Sequence, residues 1–326
     1  VIYLNDRHIT RIGTPWPELM HLVRNVLRLQ GTAELVQPLK PYLRYRDPRN
    51  RIIAMPAFVG GEVEASGIKW IASFPGNLER GLPRAHNTLI LNDTHTGEPI
   101  AFLRSGKLSA IRTAAVSGAM LGAYLESRPG SAEPSAGLRI GIVGMGPIGR
   151  MHLAMLHSAY GDRIAELRAF DVRGIAAASL PKELRRRVRV CSSWQEVYER
   201  SDVFLTCTTS PERYIDRPPR PGMLLLNVSL RDYRPESVDR LSAVVVDDWL
   251  EVCRENTDIE MLHRSCGLEE ADVLTLRQAI WDNALAAIPP EEPIFFNPMG
   301  MAAFDIAVAA SYVRQAIRLG IGSRLP

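Results

Sequence analysis

The stretch Ile140-Gly-Ile-Val-Gly144-Met-Gly146-Pro-Ile-Gly149 decides the fold of this 326-residue chain. A short apolar run of strand character enters a G-x-G-x-x-G turn, and a helical segment, Arg150 to Ala159, leaves it. Gly144 permits the tight turn, Gly146 lets backbone approach a pyrophosphate, and Gly149 lets the helix lie close to the strand. Pro147 and Ile148 lie in the turn ahead of that helix, whose first N–H groups and dipole suit an anion. Twenty-two residues beyond Gly149, after Arg168-Ala-Phe170, stands Asp171. A carboxylate at the end of that next strand accepts both ribose hydroxyls of an adenosine and repels a 2′-phosphate, so NAD is expected over NADP. Arg173, two residues on, can stack on adenine or pair with a phosphate.

Working outward, strands alternate with helical segments in the βαβ manner at 138–143, 166–171, 187–191, 202–207, 223–228 and 242–247. Ahead of them the pattern changes. A short strand (Val1 to Leu4) and a helix (Trp16 to Gln30) precede strands at Arg51–Met55, Gly67–Ser73, Thr88–Asn92 and Pro99–Leu103. A helix is expected from Ser109, as N-cap, through Leu125, and another over Phe304–Leu319. The segment Arg128 to Gly137, with Pro129, Gly130 and Pro134, reads as the crossing between regions. The expected fold class is α/β: a Rossmann dinucleotide-binding domain over 128–301, and a discontinuous α+β domain over 1–127 and 302–326.

Composition narrows the function classes. Apolar content of 46%, charged content of 23% and a net charge of +3 suit a globular enzyme and give no electrostatic case for nucleic acid or a membrane surface. The basic run Lys182 to Arg189 reads as a solvated helix end. Four cysteines, at 191, 207, 253 and 266, form no C-x-x-C pair, and no histidines stand at metal spacing, so each is expected to act as a small buried hydrophobe and no metal is expected. Asp6, Arg7 and His8 occupy the place of a signal peptide's apolar core, and the run Ala114–Leu125 is too short to span a bilayer. A reducing, cytoplasmic setting is expected.

Arg112-Thr-Ala-Ala-Val-Ser117 directly ahead of the fingerprint, Gly67-Ile-Lys69, and Pro298-Met-Gly-Met301 before a final helix together resemble the ornithine cyclodeaminase/μ-crystallin family over essentially the whole chain. Val36-Gln-Pro-Leu-Lys-Pro-Tyr-Leu-Arg44, Arg51-Ile-Ile-Ala-Met-Pro56, Ile90-Leu-Asn-Asp93, Val245-Val-Asp-Asp-Trp249 and Asn297-Pro-Met-Gly-Met301 resemble one branch of it most. That branch forms 2,3-diaminopropionate for siderophore or antibiotic biosynthesis. The resemblance implies a homodimer through the first domain and NAD-dependent oxidation of the conjugate N-(2-amino-2-carboxyethyl)-L-glutamate to 2-oxoglutarate and L-2,3-diaminopropionate.

Residue by residue, the resemblance implies substrate carboxylates on Arg44, Lys69 and Arg112, with Met301 beside them. Arginine forks suit carboxylates, and three carboxylates on one substrate call for several cations. Arg46 is a near alternative to Arg44, and Lys40 a weaker candidate. Lys69 also polarises an imine. Asp232, following the strand 223–228, is the expected catalytic acid–base; Asp247 and Asp248 are runners-up. The cofactor side falls to Thr88, Arg112, Gly144, Gly146, Pro147, Ile148, Gly149, Asp171, Arg173, Cys207, Thr208, Asn227, Ser229 and Gly300. His152 and His157 read as packing or surface residues. Ile53 stands where ornithine cyclodeaminases carry an acid, which disfavours ornithine. Ornithine cyclodeamination, a related imine reductase or amino-acid dehydrogenase, and a non-catalytic crystallin-like NAD(P) binder remain the alternatives; Lys69, Arg112 and Asp232 together argue against the last.

Overall fold

The computed structural model describes residues 1–128 and 137–325, so most of the expected crossing, 129–136, lies outside the described residues. Contacts divide the chain into two units: Val1–Arg112 with Gly300–Pro326, and Thr113–Met299.

The second unit is built on an eight-stranded, wholly parallel sheet. Its order is Val188–Val190, Ile164–Phe170, Leu138–Val143, Val203–Thr206, Leu224–Asn227, Ile294–Asn297, Ala243–Val246, Val273–Thr275. The strands Val203–Thr206, Leu224–Asn227, Ala243–Val246 and Ile294–Asn297 are buried at every residue, which is why they read as unbroken apolar runs. The order reverses between Leu138–Val143 and Val203–Thr206, the switch point beyond whose carboxyl ends open α/β sheets bind ligands. All six expected strands form. Two further strands, Val273–Thr275 and Ile294–Asn297, are only three and four residues long, and prolines at 289, 290 and 293 give the second the look of a loop.

The first unit is a mixed sheet ordered Ser323–Arg324, Ile2–Asn5, Pro99–Arg104, Ala85–Asn92, Ala65–Ser73, Arg51–Val59, Leu35–Val36, with Tyr42–Leu43 also on Arg51–Val59. Pairing is antiparallel except between Ile2–Asn5 and Pro99–Arg104. Alternation sorts the two faces. Ile53, Met55, Ala57 and Val59 are buried, and Lys69, paired with Met55 and Leu89, shares their face. The helix Ala302–Leu319 packs on these strands and is buried from Ala302 through Ala310. The other face carries Ala54, Pro56, Phe58, Ile68, Trp70 and Ile90, with Trp70 44% exposed.

The helix expected from Ser109 begins three residues earlier, at Gly106, and runs to Glu126. Ser105, not Ser109, meets its first turn, accepting the Leu108 N–H at 3.0 Å. Thr113 onward belongs to the second unit because Ser117 and Gly118 bond to His152 and Tyr160, and Tyr124 to Gly222. The unit boundary therefore falls inside a helix rather than in the Pro/Gly segment after it. At 21 residues this helix is longer than Ala114–Leu125 and is long and apolar enough to cross a membrane, yet most of it is buried within the protein. All four cysteines are free; Cys191 is buried but Cys266 is exposed at the end of Asp258–Cys266, so it is no buried hydrophobe.

Candidate active site

In the second unit the glycine turn has the shape its sequence implies. Gly144 has φ +92°, and a Cβ there would stand 2.5 Å from the Cys207 carbonyl oxygen; one on Gly149 would stand 2.0 Å from the Gly144 carbonyl oxygen. Gly146 has nothing within 4 Å of its Cβ direction, so space is open there. It is also the N-cap of Pro147–Tyr160 and supplies no side-chain cap, which leaves the first N–H groups of a 14-residue helix for an anion. The Asp171 carboxylate accepts the Met145 N–H (2.8 Å) and the Arg173 N–H (2.9 Å), and the Arg173 guanidinium stands 3.7 Å away. The acid thus ties the turn to the end of the next strand. These residues fit a dinucleotide: open space at Gly146, helix donors, and a carboxylate at the end of the next strand.

Behind the turn lies a buried polar network. His152 Nδ1 donates to Ile148 O and its Nε2 accepts from Ser117 Oγ, both at 2.9 Å, and burial pulls its pKa down to about 4, so the ring is neutral. Cys207 Sγ lies 3.8 Å from its Nδ1, and burial raises the thiol pKa. Asn227 accepts from Thr206 Oγ1 (2.9 Å) and donates to Asn297 Oδ1 (2.7 Å) and Asp258 Oδ2 (2.9 Å). Asp258 also accepts the backbone N–H groups of Asp232 and Tyr233 and pairs with Arg213 at 2.7 Å; burial raises its pKa to about 6.

Asp232 sits inside this network rather than at an open surface. It is 0% exposed, and its two carboxylate oxygens accept from the hydroxyls of Thr208 and Ser229; burial raises its pKa against those bonds. Ser229 Oγ in turn accepts the Thr208 N–H at 3.1 Å. The carboxylate expected to handle protons is thereby bonded to both loops that leave the strands Val203–Thr206 and Leu224–Asn227. Asp247 likewise accepts the N–H groups of Asp248 and Met299, and Asp248 caps Trp249–Val252.

In the first unit, chemistry gathers on the buried face of the sheet. Lys69, 1% exposed, donates to Ser109 Oγ and to Asp305 Oδ1, both at 3.0 Å. Arg112 Nε donates to the same Oδ1 at 2.9 Å. Desolvation lowers the Lys69 pKa to about 8 against the attraction of Asp305, with Arg112 and Lys40 pushing in the same direction as burial. Lys40 is itself only 5% exposed, so the weakest of the cation candidates belongs to this group. Gly300, φ +89°, passes so close to Arg112 that a Cβ would stand 2.4 Å from a guanidinium nitrogen. Met301 is buried and precedes the helix Ala302–Leu319 as its N-cap residue.

Two expected residues lie elsewhere. Thr88 pairs with Trp70 and Arg104, one position out of phase with Lys69, and so stands on the opposite face of the sheet. Arg44 is exposed with its guanidinium 5.1 Å over the Tyr42 ring, and Arg46 is exposed at φ 58°. Among the described residues no group of three His, Cys, Asp or Glu gathers as for a metal. Asp305 and Ser109 were missed. Asp305 had a signal: it is the one acid in Ala302-Ala-Phe-Asp-Ile-Ala-Val-Ala-Ala310, and a lone charge in an apolar run needs a buried partner.

The sequence pattern of the ornithine cyclodeaminase/mu-crystallin family matches residues 14–320. The chain belongs to this family. Within it, the N-((2S)-2-amino-2-carboxyethyl)-L-glutamate dehydrogenase of Staphylococcus aureus is 32% identical over 100% of this chain and 98% of its own. Among solved structures, the Δ(1)-pyrroline-2-carboxylate reductase of Thermococcus litoralis, in complex with NADH and L-proline, superposes with a TM-score of 0.86 at 21% identity, covering all of both chains. An archaeal alanine dehydrogenase dimer with bound NAD gives 0.81 at 24% identity, over 100% of this chain and 99% of that one. At these identities the likeness establishes that the family fold is shared, Rossmann-like unit included.

Proposed function

We propose that this protein is an NAD-dependent oxidoreductase of CH–NH bonds that oxidises N-(2-amino-2-carboxyethyl)-L-glutamate and hydrolyses the resulting imine to 2-oxoglutarate and L-2,3-diaminopropionate. The carrying observation is that Lys69 and Arg112 both bond to the single carboxylate of Asp305, with the buried Lys40 near enough to act on the Lys69 charge. Two cations on one internal acid suit a ligand bearing carboxylates. The full-length similarity to the Staphylococcus aureus dehydrogenase supports the same substrate. Ile53, buried beside Met55 on the Lys69 face, offers nothing to a terminal ammonium, which tells against ornithine.

Bound NAD would supply the hydride acceptor, held by Gly144 to Gly149 and Asp171. Lys69 and Arg112 then bind and orient the substrate carboxylates, and such positioning supplies much of an enzyme's rate. Asp232 fixes Thr208 and Ser229 on the cofactor side. The half-buried apolar sheet face around Phe58, Ile68 and Trp70 suits a second copy of the chain, and a homodimer is part of this reading. A cytoplasmic setting would keep the four thiols reduced, and the product would feed siderophore or antibiotic assembly.

The test is NADH formation at 340 nm with the synthetic conjugate, against L-ornithine and L-alanine, with 2-oxoglutarate assayed in parallel. One NADH per 2-oxoglutarate with the conjugate alone is expected; proline from ornithine would replace the reading. On the cofactor side, Asp171→Ser removes the carboxylate that opposes a 2′-phosphate. The ratio of kcat/KM for NAD over NADP is expected to fall at least about tenfold, one unit of 1.4 kcal/mol; an unchanged ratio would remove Asp171 from the ribose site.

A further inference from the structure

Lys69 and Arg112 are read above as the groups that take substrate carboxylates, and their own surroundings decide whether they can. Beside Lys69 stand Met55 and Leu89 on the flanking strands Arg51–Val59 and Ala85–Asn92, and Ser109 and Arg112 on the helix Gly106–Glu126. Asp305 comes from Ala302–Leu319, and Lys40 from the segment ahead of Tyr42–Leu43. Of these only Asp305 is an acid. Burial, Arg112 and Lys40 all oppose the ammonium, and both effects that favour it come from Asp305.

The way this carboxylate is used separates a support for ligand binding from a plain structural ion pair. A pair that served packing alone would satisfy both carboxylate oxygens and the guanidinium fork. Here a single oxygen, Oδ1, accepts from Lys69 Nζ at 3.0 Å and from Arg112 Nε at 2.9 Å. Oδ2 is buried and has no hydrogen-bond partner among the described residues. Arg112 is held by Nε alone, and among the described residues its two terminal nitrogens have no hydrogen-bond partner. Gly300 leaves them room, since a Cβ there would stand 2.4 Å from one of them. Lys69 spends two of its three N–H donors, on Asp305 and Ser109. What is left over is the bidentate edge of a guanidinium and one ammonium N–H, the donors that a carboxylate takes. The Arg112 side chain is 11% exposed, against 1% for Lys69 and 2% for Asp305, so the group opens at Arg112.

We propose that Asp305 is a positioning residue for carboxylate binding: through Oδ1 it keeps Lys69 charged and fixes Arg112 by Nε, leaving the terminal guanidinium nitrogens and one Lys69 N–H for the ligand. This rests on the amine-oxidising reading above. Asp305 does not touch substrate; it acts through the two cations. Its place in the first turn of Ala302–Leu319, where the helix dipole favours negative charge, suits an internal counter-ion.

The test removes the carboxylate and reads the Lys69 charge directly. The chain has four lysines, at 40, 69, 107 and 182, so isotope labelling at lysine Cε lets NMR titrate each of them. Wild type, Asp305→Asn and the smaller Asp305→Ser are compared, and Lys69→Met marks which signal is Lys69. The Lys69 midpoint, about 8 in wild type, should fall by about 1–3 pH units in both Asp305 variants, the usual effect of an opposite charge at this range. KM for the conjugate at about pH 7 should then rise roughly 2- to 100-fold, and the pH at which KM climbs should fall with the midpoint. NADH affinity, read by fluorescence titration, should stay at the wild-type value, which also shows that the variants fold. A Lys69 midpoint that does not move, or a KM raised by one constant factor at every pH, would overturn the assignment of Asp305. Wild type silent with the conjugate, L-alanine and L-ornithine, but with the midpoint shifted in the variants, would overturn the amine-oxidising reading and leave the hold of Asp305 on Lys69 standing.

Discussion

Gly149→Ala is expected to weaken NADH binding at least about 100-fold, or ~2.7 kcal/mol, and to destabilise the protein by about 1–3 kcal/mol. The added Cβ would sit 2.0 Å from the Gly144 carbonyl oxygen, and neither partner can step aside cheaply. Gly144 is held by its N–H to Phe170 O (2.9 Å), and behind it stands the carbonyl of Cys207, whose own N–H bonds to Val143 O (2.8 Å). Relief requires opening the turn that gathers the helix donors. Gly146→Ala separates the two consequences. Nothing lies within 4 Å of a Cβ there, so thermal stability should hold while NADH affinity falls, because the new methyl enters the space read as the pyrophosphate's. Fluorescence titration and a melting curve on both variants decide the matter. A Gly146→Ala protein that binds NADH as wild type does would show that the ligand does not approach at that residue.

The second large effect is expected at Lys69. Lys69→Met keeps the length and removes the charge, leaving Asp305 with Arg112 as its remaining cationic bond. Loss of one partner from a buried ion group costs about 3–5 kcal/mol when the remaining charge is uncompensated, and Arg112 should keep this case near the lower end. A lost charge-assisted bond to substrate, about 1.5–3 kcal/mol, should raise KM for the conjugate roughly 10- to 100-fold. The pH dependence has a definite sign. Burial lowers this lysine from 10.5 to about 8. Below pH 8 folded and unfolded chains both carry the proton, and the full cost of the buried charge stands. Between about pH 8 and 10.5 the unfolded chain binds more protons than the folded one, so Lys69's contribution to stability rises with pH there. Carboxylate binding runs the other way, since the cation is lost above pH 8. KM should therefore climb through pH 8 in wild type and not in Lys69→Met; parallel profiles would show that Lys69 does not hold the substrate.

Much of the second unit could be read along the chain because its determinants are local. Gly144, Gly146, Gly149 and Asp171 act through backbone conformation and short spacings, and a parallel sheet buried on both faces announces its strands as apolar runs. Ile294–Asn297 escaped because four residues between prolines carry too little pattern. The unit boundary at 112/113 escaped because nothing in Arg112–Thr113 marks which neighbours each half of a continuous helix will find.

The candidate site divides along the same line. Lys69 and Arg112 were legible by themselves, a lysine in an apolar strand and an arginine opening a helix, since charges in such settings demand partners. Who those partners are could not be read: Asp305 lies 236 positions from Lys69 and 193 from Arg112. Only the packing of Ala302–Leu319 on the sheet brings them together. The same holds for Asp232, whose position after a strand end suggested an open acid and whose side chain the fold turns inward onto Thr208 and Ser229. Sequence alone determined the fold class, the nucleotide turn and the presence of buried cations, because propensity, periodicity and steric limits act over a few residues. Tertiary structure decided which donors each buried carboxylate meets, because those donors come from distant segments.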